Sequence, residues 1–202
     1  MEVKLLTTPK HLAAMEFNAA YAMLTCHANT KKLIYEEPRM FFEKAIKAGH
    51  ESILEHITLT YEVTNLSRAC LQELSRHRHI SLSVESTRHT LRKKSLNRDS
   101  LFKKEVLPKF HKALRVFLND TNVWSFDSND EIKYFVPEFW PTNLIMTANI
   151  RELRHIVRLR TAPAALGEFQ ELARAFVSEL PDDFKYLLED CAYKKEENHN
   201  GN

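Results

Sequence analysis

Glycine is almost missing from this chain: there are three in 202 residues, Gly49, Gly167 and Gly201. A dinucleotide-binding G-x-G-x-x-G turn or a phosphate-binding P-loop needs several glycines within a few positions, so that bare backbone can approach a phosphate. Neither can be built from these three. Long apolar runs are missing too. Nowhere do about 18 consecutive apolar residues offer a bilayer span, and the opening MEVKLLTTPKHL lacks the basic-then-apolar build of a secretory leader. The expectation is a cytoplasmic chain with no membrane partner. Cysteine is scarce: Cys26, Cys70 and Cys191 are odd in number and lack metal-type spacing, which excludes a disulfide scaffold and suits a reducing compartment. Net charge is only +2, too little for the whole chain to act as a polyanion binder. Any grip on phosphate must therefore come from local clustering.

What is present is an ordinary globular pattern. Hydrophobic residues make up 44% and charged residues 28%, which excludes a disordered chain, and the length suffices for a sizeable core. Thr8 before Pro9 reads as the start of a helix, and a second helix opens near Pro38 and stops at Gly49. ITLTYEVTN (57–65) alternates and is rich in β-branched residues, so it predicts a strand. LSRACLQELSRH (66–77) returns to helical spacing, with Leu66, Ala69, Cys70 and Leu74 on one side, and an extended segment follows it. Further helices are expected over 100–120 around Pro108, over 128–136 with Ser128 or Asn129 as cap, and over 149–160, 166–180 and 181–193. Pro137 and Pro141 bracket a break between them. The sum is α+β: a single helix-rich domain over residues 1–192 with a small β-sheet, followed by a disordered polar tail at 193–202.

The stretch SRHRHISLSVESTRH (75–89) concentrates positive charge beside small hydroxyls. Arginine holds phosphate by a planar fork of donors and stays charged at any physiological pH. Arg76 and Arg78, one residue apart at a helix end, diverge toward two anions, while Ser86, Thr87 and Arg88 could cradle another. The same residues equally suit a basic helix end that complements its own dipole. A nucleic-acid-binding patch over 75–93 is a third possibility, against which the near-neutral charge and interleaved serines argue. His50 and His56 are six apart, which fits neither helical face pairing nor the H-E-x-x-H zinc spacing, so no metal is expected. Arg151, Arg154, His155 and Arg158 share one side of 149–160; Arg154 and Arg158 are expected to face solvent or another subunit. Phe41 and Phe42 are expected in the core, and FVPEFW (135–140) in packing.

Arg76-His77-Arg78, seven residues, then Ser86 is similar to the Arg-His-Arg-x7-Ser motif of the flavin-dependent thymidylate synthases, the ThyX family. HESILEH (50–56), ANIRELRH (148–155) and Leu159-Arg160 resemble the family's other blocks in the same order. The resemblance runs from about residue 10 to residue 192, as to a divergent branch. It implies an α+β fold and a homotetramer that builds each active site from neighbouring subunits. The implied reaction converts dUMP to dTMP with methylenetetrahydrofolate as carbon donor and NADPH as reductant, through bound FAD, and without a cysteine nucleophile. The partners are thus small molecules, not nucleic acid.

By residue, the resemblance implies that Arg160 is catalytic and faces the uracil. It implies substrate binding by Glu73, Arg76, Val84, Glu85, Ser86, Thr87, Arg88, Lys133 and Arg160. Cofactor binding falls to Ser52, Arg76, His77, Arg78, Asn149, Arg151 and His155, with His50 and Glu55 close to Ser52. Uracil C5 is a poor carbon nucleophile, and a fixed cation at Arg160 would favour negative charge at N3 and O4 and so raise the reactivity of C5. The chain departs from the family pattern in places. Ser83 and Val84 stand where an Asn-Glu pair is usual, with Glu85 one place later; Glu73 replaces a glutamine, Lys133 an arginine and His89 a tyrosine. A flavin-binding relative without methyl transfer is the alternative these departures raise.

Overall fold

The computed structural model describes residues 1–26, 28–29, 31, 37–90, 128, 130 and 133–194. The helix expected over 100–120, residues 129, 131 and 132 of that expected over 128–136, and the tail from 195 lie outside the described residues; of the latter helix, residues 133–136 form a 3-10 turn at Lys133–Phe135 and no longer helix. The chain divides into two compact units, Met1–Lys4 with Tyr61–Met146, and Leu5–Thr60 with Thr147–Asn202.

Most residues of the sheet fall in the first unit. Strands β1 (Glu2–Leu5), β2 (Thr58–Ser67), β3 (Ile80–Val84) and β4 (Pro141–Asn149) pair in the order β1-β2-β4-β3. Alternation in β2 buries Leu59, Tyr61 and Val63, the period-2 pattern of a half-buried strand. It breaks at Asn65, whose φ of 56° is left-handed, and Leu66 and Ser67 are then buried in succession. The Asn65 N–H donates to Asn143 Oδ1 of β4 at 3.0 Å, so the break in the ladder keeps a partner.

Helix α1 (Pro9–Thr25) and helix α2 (Pro38–Lys47) precede β2, and helix α3 (Arg68–Ser75) follows it directly. The strand runs two residues further than its alternation suggests. Ser67 is therefore the helix cap, its Oγ accepting from the Cys70 N–H at 3.0 Å. The expectation that helix begins at 66 is corrected accordingly. Cys70 and Leu74 on α3 are fully buried. Arg68 N–H donates to the Trp140 carbonyl and Ala69 N–H to that of Glu138, which ties the start of α3 to the turn before β4. Trp140 is buried there.

Two strands escaped the sequence pattern. Pro141 is not a break but the first residue of β4, a position where the missing N–H costs no ladder bond. Leu144, Met146 and Ala148 then alternate inward. β1 is four residues long, too short to show a period.

In the second unit, Thr8 caps α1, its Oγ1 accepting from the His11 N–H at 3.3 Å, with Pro9 at the first helical position. α2 starts at Pro38, and Gly49 takes the φ of +73° that ends it. Phe41 and Phe42 are in the core, as expected. A 3-10 turn over Glu51–His56 leads into β2; α1 and α2 pack on it, as does helix α4 (Ile150–Arg160). α4 packs also on helix α5 (Gly167–Ser178). The segment expected as a helix over 181–193 forms two 3-10 turns instead, Asp182–Leu187 and Glu189–Cys191. Among the described residues no helix is long and apolar enough to cross a membrane.

Candidate functional site

In the first unit the Arg-His-Arg corner sits where α3 stops. The Arg76 N–H donates to the carbonyl of Glu73 and the His77 N–H to that of Leu74, closing the helix. His77 is buried, while Arg76 and Arg78 on either side of it face solvent. This alternation sends two guanidiniums outward around an imidazole anchored in the interior. Among the described residues neither guanidinium has an ion-pair partner.

The hydroxyl-rich half follows in β3 and beyond. Val84 is exposed and ends the strand. Glu85 is held to β4 twice: its N–H donates to the Asn143 carbonyl at 2.8 Å, and its carboxylate accepts from Nδ2 of the same residue at 2.7 Å. Because the Asn143 Oδ1 already serves Asn65, one amide joins three segments. Ser86 then opens a helical turn at 87–90, its carbonyl accepting from the His89 and Thr90 N–H groups. Thr87 is buried and Arg88 exposed. Arg88 lays its fork on Asp130, with Nε to Oδ1 at 2.6 Å and a second bond at 3.0 Å. Both side chains are more than half exposed, so the pair is worth at most about 1 kcal/mol. Glu73 is half-buried on α3, and Lys133 lies exposed in a 3-10 turn over Lys133–Phe135.

In the second unit Ser52 stands in the 51–56 turn, on the wall of a cavity of about 720 Å³ bounded by α1 and α2. Its floor is largely apolar, with Met23, Phe41 and Ala45, and His50, Glu55 and His56 add polar groups. This size and mixture suit a small organic ligand. α4 carries the other expected residues. Asn149 caps it, its Oδ1 accepting from the Glu152 N–H at 2.8 Å, which leaves the amide nitrogen able to donate. Arg151 pairs with Glu55 at 2.5 Å, with both side chains about half exposed. His155 is exposed. At the end of the helix the Arg160 guanidinium stacks 4.7 Å from the centre of the Phe169 ring, and Phe169 is fully buried on α5. That contact holds a permanent cation by its flat face.

One expectation fails on α4. Arg154 does not face solvent or another subunit; at 2% exposed it is among the most buried large side chains. It donates from Nε to Glu51 at 2.9 Å, bidentately to Asp190 at 2.6 and 2.7 Å, and to the Leu187 carbonyl at 2.8 Å. Arg158 reaches Glu51 at 3.3 Å from the surface. Residue 154 also falls in the stripe Ile150, Leu153, Val157, all buried, which competes in the sequence with the polar stripe.

Burial works against the charged forms of Glu51 and Asp190, but hydrogen bonds and charge from Arg154 outweigh it and hold both carboxyls below their ordinary values. Those ordinary values are 4.5 and 3.8. Folded-state values below the unfolded ones mean that the stabilisation is complete above the unfolded values and is lost as pH falls through the folded ones. Thermal unfolding midpoints should therefore hold steady from neutrality to about pH 5 and then drop. In Glu51→Gln the acid limb should be shallower. Burial pushes the neighbouring Cys191 thiol up to about 11, so this sulfur stays protonated and is no nucleophile.

The described residues combine a helix-rich α+β fold, a small sheet and solvent-facing arginines, with no glycine loop beside them. Residues 8–184 match the family described as thymidylate synthase complementing protein. A flavin-dependent thymidylate synthase from Helicobacter pylori (strain J99 / ATCC 700824) is 40% identical over 162 residues, covering 70% of this chain and 76% of that one. One from Campylobacter jejuni (strain RM1221) is 36% identical over 165 residues, covering 73% and 77%. The crystal structure of thymidylate synthase X from Helicobacter pylori with FAD and dUMP superposes with a TM-score of 0.76 at 32% identity, covering 96% of this chain and all of that one. The chain belongs to the flavin-dependent thymidylate synthase family.

Proposed function

We propose that this chain binds FAD and converts dUMP to dTMP, taking the carbon from methylenetetrahydrofolate and the reducing equivalents from NADPH. The observation that carries the assignment to these residues is the Arg76-His77-Arg78 corner, with two outward guanidiniums not matched to a carboxylate among the described residues.

The donor set fits FAD on its chemistry. A diphosphate asks for cationic and neutral donors and no nearby unpaired carboxylate. Arg76 and Arg78 supply the first in one unit. In the other, Ser52 and Asn149 supply hydroxyl and amide donors, and the acids beside Ser52, Glu51 and Glu55, are already paired with Arg154 and Arg151. The apolar floor beside Ser52 suits a flat ring system. When bound, the flavin supplies the passage of reducing equivalents and of the one-carbon unit.

The chain's own residues then bind and polarise the nucleotide. Ser86, Thr87 and Arg88 seat the phosphate of dUMP. Asp130 occupies the Arg88 fork only through an exposed pair, so a phosphate dianion displaces it at little cost. Glu85, committed to Asn143, contributes by shaping this turn, and exposed Val84 offers only apolar contact. Arg76, Glu73 and Lys133 line the nucleotide, with Arg76 also serving the cofactor. Arg160 sets its charge toward N3 and O4 of the ring, so that density developing there is stabilised as C5 attacks.

A homotetramer in the cytoplasm is part of the proposal. Supporting it, Phe17 and Tyr21, one turn apart on α1, are large apolar side chains left exposed. All three cysteines are free, as a reducing compartment allows.

The test is formation of labelled dTMP from dUMP and labelled methylenetetrahydrofolate, with FAD and NADPH added. Product that needs all four components is expected; flavin uptake without product would leave only a flavin-binding relative. Arg88→Lys, which keeps the charge and loses the fork, should raise KM for dUMP about tenfold with kcat little changed. Steady-state kinetics decide this, and an unchanged KM removes Arg88 from the phosphate.

A further inference from the structure

Three features of the second unit remain outside the proposed chemistry. Cys191 lies beside Arg154 and Arg158 but is buried and protonated. Tyr186, Glu16 and Arg39 join the last 3-10 turns to α1 and α2, with Tyr186 donating to Glu16 and the Arg39 guanidinium 4.6 Å from the tyrosine ring centre. That cluster ties these elements together. The third is Arg154, which links the two elements that carry the expected cofactor contacts.

We propose that Arg154 is a positioning residue: through Glu51 it fixes the 51–56 turn, and with it Ser52 and Glu55, against α4. Ser52 follows Glu51 directly in the chain, so the carboxylate and the hydroxyl share one short, tightly wound stretch. The carboxylate is only 21% exposed and takes a charge-assisted bond from a guanidinium that is itself 2% exposed, so solvent screens it little. Two further links between the same elements, Arg151 to Glu55 and Arg158 to Glu51, come from arginines more than half exposed and hold weakly. The opposite face of Arg154 is locked by both Asp190 oxygens and the Leu187 carbonyl. Its fork is therefore clamped at the C-terminal turns, and Nε is left to donate to Glu51. Two arms leave one guanidinium: one ends beside Ser52, the other on the far side.

The proposal rests on FAD binding at Ser52, and its two arms give the experiment. Glu51→Gln weakens the arm to the turn; Asp190→Asn weakens the arm to the C-terminal segment. Each removes one carboxylate charge from the same arginine, so both should lower the thermal unfolding midpoint to a similar extent. FAD affinity, read by flavin fluorescence quenching, should separate them. Kd for FAD is expected to rise about tenfold or more in Glu51→Gln, the loss of one charge-assisted bond's worth of order, and to change less than about twofold in Asp190→Asn. Hydrogen exchange of the 51–56 amides in the flavin-free chain should quicken in Glu51→Gln alone. Equal FAD affinities in the two variants, at similar midpoints, would show the network to be structural only and overturn the proposal. A wild-type chain that takes no FAD would refute the functional reading instead; amide exchange then decides the positioning, faster in Glu51→Gln supporting it and unchanged refuting it.

Discussion

Arg160→Ala is expected to take up flavin like the wild type while turnover falls roughly a hundred- to thousandfold, the range for removing one preorganised donor aimed at developing charge. The physical reason is the fixed placement of the guanidinium. It is half-buried at the end of α4 and stacked on Phe169, itself immobilised in the core of α5. A cation held this way is not reorganised when charge builds on the pyrimidine. Ground-state binding of dUMP gains less from it, because the uncharged ring asks little of a cation before C5 begins to attack. The loss should therefore appear in kcat more than in KM. Single-turnover measurement with pre-bound dUMP tests this, and a kcat within a few-fold of wild type would move the polarising role to another residue.

Arg154→Ala is expected to destabilise the fold by about 3 kcal/mol or more, the cost of leaving buried charges without their partner. At roughly 2–4 °C per kcal/mol for a chain of this size, the unfolding midpoint should fall by about 6–12 °C. Arg158→Ala is the comparison. Arg158 shares Glu51 but is 57% exposed, and its loss should cost less than about 1 kcal/mol. The contrast between two arginines one turn apart on one helix separates burial from charge. Equal midpoints for the two variants would mean that Asp190, 48% exposed, and Glu51 find enough water to dispense with their partner.

Legibility in the sequence followed the range of the interaction. Thr8 before Pro9, and Gly49 after α2, are read correctly because a cap is decided within four residues. The Arg76-His77-Arg78 corner is legible as a candidate site through its resemblance to a motif written in consecutive residues, although only the structure shows that His77 turns inward while its neighbours turn out. β4 was not legible. TNLIMTAN carries apolar residues close enough together to suit strand or helix, and Pro141 reads as a breaker until the strand's first position is seen to tolerate it. Arg154 was misplaced for a related reason. On a helix, residues 151, 154, 155 and 158 make one plausible polar stripe, and 150, 153, 154 and 157 make a plausible core stripe. The partners that decide between them, Glu51 and Asp190, are 103 and 36 residues away, and nothing local announces them. Glu85 shows the same range: the bond its carboxylate accepts from Asn143, 58 residues on, is not announced by anything local.

Titrating the purified chain with FAD and then with dUMP, while recording the flavin absorption spectrum, tests most directly the claim that side chains replace a glycine loop in gripping both molecules. A saturable spectral change with FAD, a second one with dUMP, and weakening of the first in Arg78→Ala are the results this account predicts. A spectrum that stays that of free flavin at every concentration of both would contradict it.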